Sequence, residues 1–193
     1  MAILRIKDNV KIGGVYECSF GSFKKLLAHG GGVTNQRGEA DESDHNYRIP
    51  NELIKKRPVI VISKHRGLCT VVPVSGTKEL NSKPGKVPET MGIHVQLQGH
   101  IPITHRYEDK PCWGLCNLAH TIDSGRLRDI YDENTKGFIV SAVPQEMLIK
   151  LRFGVMKSIG MGSLIPLAEE ERINAVLTPA KEVEGIAEVG QEA

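Results

Sequence analysis

Residues 55–78 read KKRPVIVISKHRGLCTVVPVSGTK, and this stretch carries the strongest fold signal in the chain. Its two apolar runs, VIVI and CTVVPV, are short and rich in valine and isoleucine, as buried strands are. The stretch therefore predicts a buried hairpin whose strands are joined by KHRG. Packing accounts for the strands, but it does not explain why the hairpin starts at Arg57 and ends with hydroxyls at Ser75 and Thr77.

Further strands and one helix are predicted around this hairpin. The strand Ile93–Leu97 alternates apolar and polar residues, which places His94 and Gln96 on its wetter face. Phe23–Ala28 could form one short helical turn. The remaining strands are predicted at Val10–Phe20, Arg57–Ser63, Cys69–Val74 and as a pair over Pro111–Ile122 broken at Gly114 or Asn117; the best helix is Ser141–Gly160. This order favours a mainly β fold (α+β) with a C-terminal helix: a small, curved antiparallel sheet or SH3-like barrel on which the helix packs.

The chain of 193 residues predicts one domain with a tail. We expect the domain over residues 1–165, with a long flexible loop at 24–56 that is rich in glycine and charge. Residues 166–193 are acidic and are predicted to be a flexible tail in which Glu169–Leu177 could form a short helix.

Composition restricts the class of protein. Hydrophobic and charged residues make up 40% and 25% of the chain, as in an ordinary globular protein. No apolar run reaches about 18 residues, so we expect no membrane span, and the charged N-terminus does not resemble a secretory signal. Four cysteines in a chain of this size are expected to be reduced thiols in the cytoplasm.

Charge is divided unevenly along the chain. The tail holds seven of the 23 acidic residues and two of the 25 basic ones, which leaves a net charge of +7 on residues 1–165. A basic body suits a polyanionic partner such as RNA or DNA, although surface charge also serves solubility.

Motifs for metal or nucleotide chemistry are not evident. Cys112 and Cys116 lack a second Cys or His pair at matching spacing, so two buried strand cysteines are a better interpretation than a zinc site. No Walker loop follows a strand, and no GxSxG elbow occurs.

Five elements in a fixed order resemble the MazF/PemK (Kid-like) family of toxin endoribonucleases. The resemblance covers the chain from about Lys11 to Gly160. The matching elements are Gly13-Gly14-Val15-Tyr16, the loop from Phe23 to Lys56, Arg57–Ser63, Val71–Ser75 and Leu118–Leu127, followed by the helix Ser141–Gly160.

The resemblance implies an SH3-like barrel that forms a homodimer and cleaves single-stranded RNA without a metal ion or other cofactor. Such a protein is the toxin of a type II toxin–antitoxin pair, with a cognate antitoxin as its partner. In the implied reaction, the 2′-hydroxyl attacks the adjacent phosphate and leaves a 2′,3′-cyclic phosphate and a 5′-hydroxyl. A fixed guanidinium at Arg57 suits the charge that develops on the phosphorane oxygens. Ser75 stands where the family usually has a threonine and keeps the hydroxyl, with Thr77 on the same face of the strand.

His120 replaces the arginine of the family's QxRT stretch and could act as general acid or base. Some family members use an Arg-Cys-Asp triplet for proton transfer, whereas this chain has Leu115 and Asn117 at the two charged positions. The remaining RNA-binding candidates are Thr77, Lys55, Lys56, Lys64, His29, His45 and Asn117. Taken singly, Arg57 could pair with a surface carboxylate, Ser75 could be a turn residue, and the histidines could be solvated.

Three functions stay open from the sequence. The first is the metal-independent endoribonuclease toxin. The second is a weakened or inactive member of the fold that binds nucleic acid or a protein. The third is an unrelated barrel that mediates protein assembly. The acidic tail raises a further hypothesis, in which residues 166–193 lie over the basic groove of their own chain.

Overall fold

The structure, a computed structural model, describes residues 6, 9–21, 25–34, 36–44, 47–48, 56–76, 92–97, 111–132 and 134–178. The strands in this part of the chain are β1 (Gly14–Ser19), β2 (Lys25–Leu26), β3 (Val33–Thr34), β4 (Lys56–His65), β5 (Leu68–Ser75), β6 (His94–Gln96), β7 (Trp113–Leu115), β8 (His120–Asp123), β9 (Leu127–Arg128), β10 (Ile130–Asp132), β11 (Gly137–Ile139) and β12 (Ser141–Ala142). The α-helices are α1 (Gln145–Ser158) and α2 (Leu167–Leu177). The described fold is therefore mainly β, with antiparallel sheets and helices toward the C-terminus, as the sequence predicted.

The predicted hairpin forms the centre of the main sheet. Strands β4 and β5 pair antiparallel along most of their length, with a bulge after Val61. Their connection is a two-residue turn in which Arg66 and Gly67 have φ values of +46° and +85°. Positive φ at both positions matches the right-handed twist of the strands, and glycine adopts it without a Cβ penalty. The turn sets the register as far as the pair Ser63 and Thr70, and the bulge then shifts it by one residue, so that Val59 lies opposite Pro73.

The main sheet has the strand order β12-β1-β4-β5-β7-β6, with β8 also paired to β5 and β9 also paired to β1. Strand β5 changes partner along its length, because its first half pairs with β8 and Val74 and Ser75 pair with β7. The 3₁₀ turn Cys116–Leu118 lies between β7 and β8 and allows this change. The sequence predicted a break at Gly114 or Asn117, and the turn contains Asn117.

Two apolar cores lie on opposite faces of the sheet. Successive residues of a strand point to opposite faces, so neighbours such as Val15 and Tyr16 belong to different cores. The helix-side core includes Val15, Ile60, Val72, Leu151 and Ile173. The opposite-face core consists of Tyr16, Cys18, Phe20, Val59, Val61, Cys69, Val71, Ile122 and Leu127.

Helix α1 packs closely against the strands through its buried residues, which include Met147, Leu148 and Leu151. Gly154 lies on the same helix, and a Cβ at this position would be 2.6 Å from the Sγ of Cys116. The helix can approach the 3₁₀ turn only because residue 154 has no side chain. This contact holds the turn, and with it the end of β7, against the helix.

All four cysteines, at positions 18, 69, 112 and 116, are free and buried. Burial raises the pKa of Cys18 to about 12, although the Arg126 guanidinium lowers it and the Glu17 carboxylate adds to the rise. Burial alone raises the pKa of Cys116 to about 12. The thiols are therefore protonated at neutral pH. Cys112 and Cys116 are buried as expected, but they flank β7 instead of lying in a strand, with Cys116 in the 3₁₀ turn.

Two local predictions were wrong. Part of the helical turn predicted at Phe23–Ala28 is instead strand β2, because it pairs across a hairpin with β3. His94 was expected on the wetter face of β6, but it is only 5% exposed. Its Nε2 lies 3.1 Å from the Oδ1 of Asn117, and this hydrogen bond satisfies the buried ring nitrogen. Gln96 is exposed, as predicted.

Parts of the predicted loop and of the predicted tail form regular structure. In the loop, β2 pairs with β3, and the backbone N–H of Leu26 donates to the Oδ2 of Asp44 at 2.7 Å. In the tail, α2 forms over the segment in which a short helix had been considered and buries Ile173 and Leu177 in the helix-side core. The boundary at residue 165 thus precedes a helix that is packed on the domain, and the two-part division stays a prediction.

Candidate functional site

Arg57 and Ser75 share one face of the sheet. The pairing of β1 with β4 puts Arg57 opposite Cys18. The pairing of β4 with β5 puts Val59 opposite Pro73, and two further residues along each strand bring Arg57 opposite Ser75. Directly opposed residues lie on the same face with Cα atoms about 4.5–5.5 Å apart. The register therefore brings together the two residues that packing of the hairpin could not explain.

Strands β7 and β6 extend this line of residues. Ser75 lies opposite Trp113, and Trp113 lies opposite Gln96. Cys18, Arg57, Ser75, Trp113 and Gln96 thus form one row across neighbouring strands, which we call the Arg57 row. Sequence reasoning placed Gln96 on a wet face but had no means of assigning either it or Trp113 to this row.

Exposure differs along the Arg57 row. Ser75 and Trp113 are 4% and 3% exposed, whereas Arg57 is half-buried and Gln96 is exposed. A substrate that approaches this face therefore meets the guanidinium of Arg57 and the amide of Gln96 first. The hydroxyl of Ser75 lies beneath this surface, next to Arg57, and is suited to a positioning role.

His120 lies on the same face but not beside the pair. It is opposite Val71 in β5, and Ser75 is four positions further along that strand. Four residues of extended strand span about 13 Å. The exposed ring of His120 packs edge-on against Phe20, with ring centroids 6.3 Å apart. His120 is therefore separated from the Arg57 and Ser75 pair along the same face.

Arg126 supplies a second cation on this face and was missed by the sequence analysis. Its Nη1 donates to the backbone oxygen of Phe20 at 3.0 Å, which places the guanidinium near His120. It is also close enough to Cys18 to lower the pKa of that thiol. The matching motif around Leu118–Leu127 contained this arginine, but nothing in the sequence indicated its neighbours.

The other candidates are spread over the molecule. Lys56 is exposed next to Arg57 at the start of β4, whereas Lys64 lies at the far end of the same strand and donates to the backbone oxygen of Val10 at 3.2 Å. His29 is exposed in the β2–β3 hairpin. The side-chain amide of Asn117 is hydrogen-bonded to the ring of His94. Thr77, Lys55 and His45 lie outside the described residues.

The positions of the family's proton-transfer pair carry no charge in this chain. Leu115 is 3% exposed in β7. Asn117 uses its amide oxygen in the hydrogen bond to His94. Between them, the thiol of Cys116 donates to the backbone oxygen of Leu151 at 3.5 Å, which is a structural contact.

The described part of the acidic tail lies on the other side of the sheet. Helix α2 packs against α1, and Glu170 forms an ion pair with Lys157 of that helix. Glu169 pairs with Arg172 on α2 itself. These carboxylates are therefore engaged on the helix side and do not cover the Arg57 row.

Two comparisons with known proteins returned similar chains. An uncharacterized Escherichia coli (strain K12) protein, YifN, is 27% identical over 165 residues, which covers 84% of this chain and 99% of that protein. Among solved structures, the Mycobacterium tuberculosis toxin MazF-mt6 is 16% identical with a TM-score of 0.34, over 55% of this chain and 89% of the toxin. No family model matches the sequence.

In the described part of the chain, no helix is long and apolar enough to cross a membrane. Within the same residues, no group of three or more His, Cys, Asp or Glu side chains is arranged to hold a metal ion.

Proposed function

We propose that this chain is an endoribonuclease toxin of a toxin–antitoxin pair, built on an SH3-like barrel and acting on single-stranded RNA in the cytoplasm. The observation that carries the proposal is the register of β4 with β5, in which Val59 lies opposite Pro73; continued by two residues along each strand, it puts Arg57 opposite Ser75. A cognate antitoxin and a second copy of the chain are the protein partners that this function implies.

In the proposed reaction, the 2′-hydroxyl oxygen attacks the adjacent phosphorus and the bond from phosphorus to the 5′-oxygen breaks. The 2′-hydroxyl loses its proton and the leaving 5′-oxygen gains one, so the step needs no net proton. Negative charge grows on the nonbridging oxygens, and the guanidinium of Arg57 can hold two of them with parallel hydrogen bonds. The hydroxyl of Ser75 positions the phosphate next to Arg57. His120 and Arg126 bind a neighbouring nucleotide of the same RNA strand.

The direct test is incubation of the purified protein with single-stranded RNA of diverse sequence in the presence of EDTA. We expect cleavage that leaves a 2′,3′-cyclic phosphate and a 5′-hydroxyl, because the proposed chemistry uses side chains and the ribose alone. End-group analysis of the products by mass spectrometry identifies these termini. RNA that remains intact in all sequences, or products with 5′-phosphates, would contradict the proposal.

Ser75 provides a test of the second member of the pair. Ser75→Ala is expected to lower the cleavage rate about tenfold, which is the usual scale for losing one hydrogen bond to a charged group. Ser75→Thr keeps the oxygen and is expected to stay within a few-fold of the original rate. Ser63→Ala, which removes an exposed hydroxyl from β4, serves as the control. Equal rates for the Ala and Thr variants at position 75 would remove Ser75 from the mechanism.

A second candidate function is a binding module without cleavage. The observation that favours it is the apolar Leu115 and the engaged Asn117 at the positions of the family's proton-transfer residues. Such a module would bind RNA or an acidic protein through its basic surface, with an affinity that falls steeply as salt rises. Salt-dependent RNA binding with no 5′-hydroxyl product distinguishes it from the nuclease.

A further inference from the structure

A cavity of about 290 Å³ lies on the helix side of the sheet, between β6, α1 and α2. It shares Gln96 with the end of the Arg57 row, but its other walls come from β6 and from both helices, away from Arg57 and Ser75. Phe153 and Ile173 give it an apolar wall, and Gln96 and Asn174 contribute amide groups. Its volume is at the lower end of small-molecule sites, which span about 300–1,000 Å³, so it suits one small molecule.

Among the charged side chains that line the cavity, positive ones outnumber negative ones. Lys150 and Lys157 line it together with one carboxylate, Glu170. Lys157 forms an ion pair with Glu170 that connects the two helices. The Lys150 side chain is half-buried, and it forms no hydrogen bond or ion pair among the residues that the structure describes. The cavity therefore holds one positive charge more than its own residues neutralise.

The surroundings of Lys150 destabilise the charged form of its ammonium group. Burial removes part of its water and lowers the pKa of Lys150; Glu170 offsets this shift, and Lys157 adds to it by repulsion. A half-buried cation that lacks a hydrogen-bonded anion has lost part of its solvation, and an oxyanion in the cavity would compensate for that loss.

The ammonium of Lys157 lies beside the cavity, in close contact with Gly92. Gly92 lines the cavity, and a Cβ at this position would lie 2.8 Å from the Nζ of Lys157. Gly92 also has a φ of +68°, a conformation that favours glycine. A glycine here therefore leaves room for the ammonium of Lys157 next to the cavity, about two turns along α1 from Lys150.

We propose that this cavity binds a small molecule that carries a carboxylate or a phosphate, with the Lys150 ammonium as the main contact to the oxyanion. The amides of Gln96 and Asn174 supply further hydrogen bonds, and Phe153 and Ile173 cover a short apolar part of the ligand. The site is independent of RNA cleavage, and it is too small for a polymer.

The test uses the full-length protein and two probes, inorganic phosphate and succinate, titrated by calorimetry and by NMR at low ionic strength. We expect saturable 1:1 binding of at least one probe, with shifts at residues that line the cavity. The probe that binds more tightly distinguishes a phosphate ligand from a carboxylate ligand. Lack of saturable binding for both probes would overturn the proposal.

Three variants make the test specific. Lys150→Gln is expected to weaken binding about tenfold or more, because it removes a charge-assisted hydrogen bond. Lys150→Arg keeps the charge and is expected to bind within a few-fold of the original. Arg172→Gln removes a positive charge from an exposed position of α2 that does not line the cavity, and it should leave binding unchanged. Equal affinities for Lys150→Gln and the unaltered chain would contradict the assignment of Lys150.

Discussion

Replacement of Arg57 by lysine is expected to lower the rate of RNA cleavage by about 10²–10³-fold, the usual cost of losing a group that stabilises charge in a transition state. Lysine keeps the positive charge, so ground-state attraction of RNA should change little. It loses the planar pair of donors that can hold two phosphorane oxygens at once. The effect should therefore be seen in kcat more than in KM, measured by single-turnover cleavage of an end-labelled RNA.

The matched control for this variant is Arg128→Lys. Arg128 is an exposed arginine of the same sheet, and it pairs with Glu17, the residue that precedes Cys18 in β1. Because Glu17 and Cys18 point to opposite faces, Arg128 lies on the face away from Arg57. Cleavage by Arg128→Lys should match that of the unaltered protein. A rate for Arg57→Lys that also matches it would remove Arg57 from the mechanism.

Leu151→Ala is expected to cost about 2–5 kcal/mol in the free energy of unfolding, the usual range when a fully buried leucine is truncated. Leu151 has no exposed surface and lies over β7, where a Cβ on Gly114 would be 2.5 Å from its Cδ2. The change leaves a void between α1 and the strand that pairs with the end of β5. Chemical denaturation followed by circular dichroism measures the loss.

Leu164→Ala is the control for this second experiment, because it makes the same chemical change at a side chain that is 62% exposed. Its effect should be about 0.5 kcal/mol or less. A similar cost at both positions would mean that α1 does not rest on the sheet through Leu151.

The hairpin and its pair of polar ends could be predicted because each depends on a short sequence. Strand periodicity and a two-residue turn are local properties, and together they set the register from Gly67 back to Ser63. The bulge after Val61, which no local pattern indicated, shifts the register by one residue before Arg57. The late helix was predictable for the same reason, since its apolar stripe and its stop are adjacent in sequence.

Other parts of the site depended on pairings between distant segments. The place of Trp113 and Gln96 in the Arg57 row follows from the β5–β7 and β7–β6 registers, which no local pattern specifies. His94 can be buried because its ring is hydrogen-bonded to Asn117, 23 residues away in sequence. The separation of His120 from Ser75 follows from the change of partner along β5.

The 3₁₀ turn Cys116–Leu118 has a consequence for how the length of this chain can vary. Strands β7 and β8 pair with different parts of β5, and this turn is the connection between them. An insertion or deletion there would move Trp113 and Gln96 relative to His120, while Arg57 and Ser75 keep their register. Because a slip of one residue turns the side chains of a strand to the other face, only slips of two residues, roughly 6.6 Å, would keep Trp113 and Gln96 on the face of Arg57.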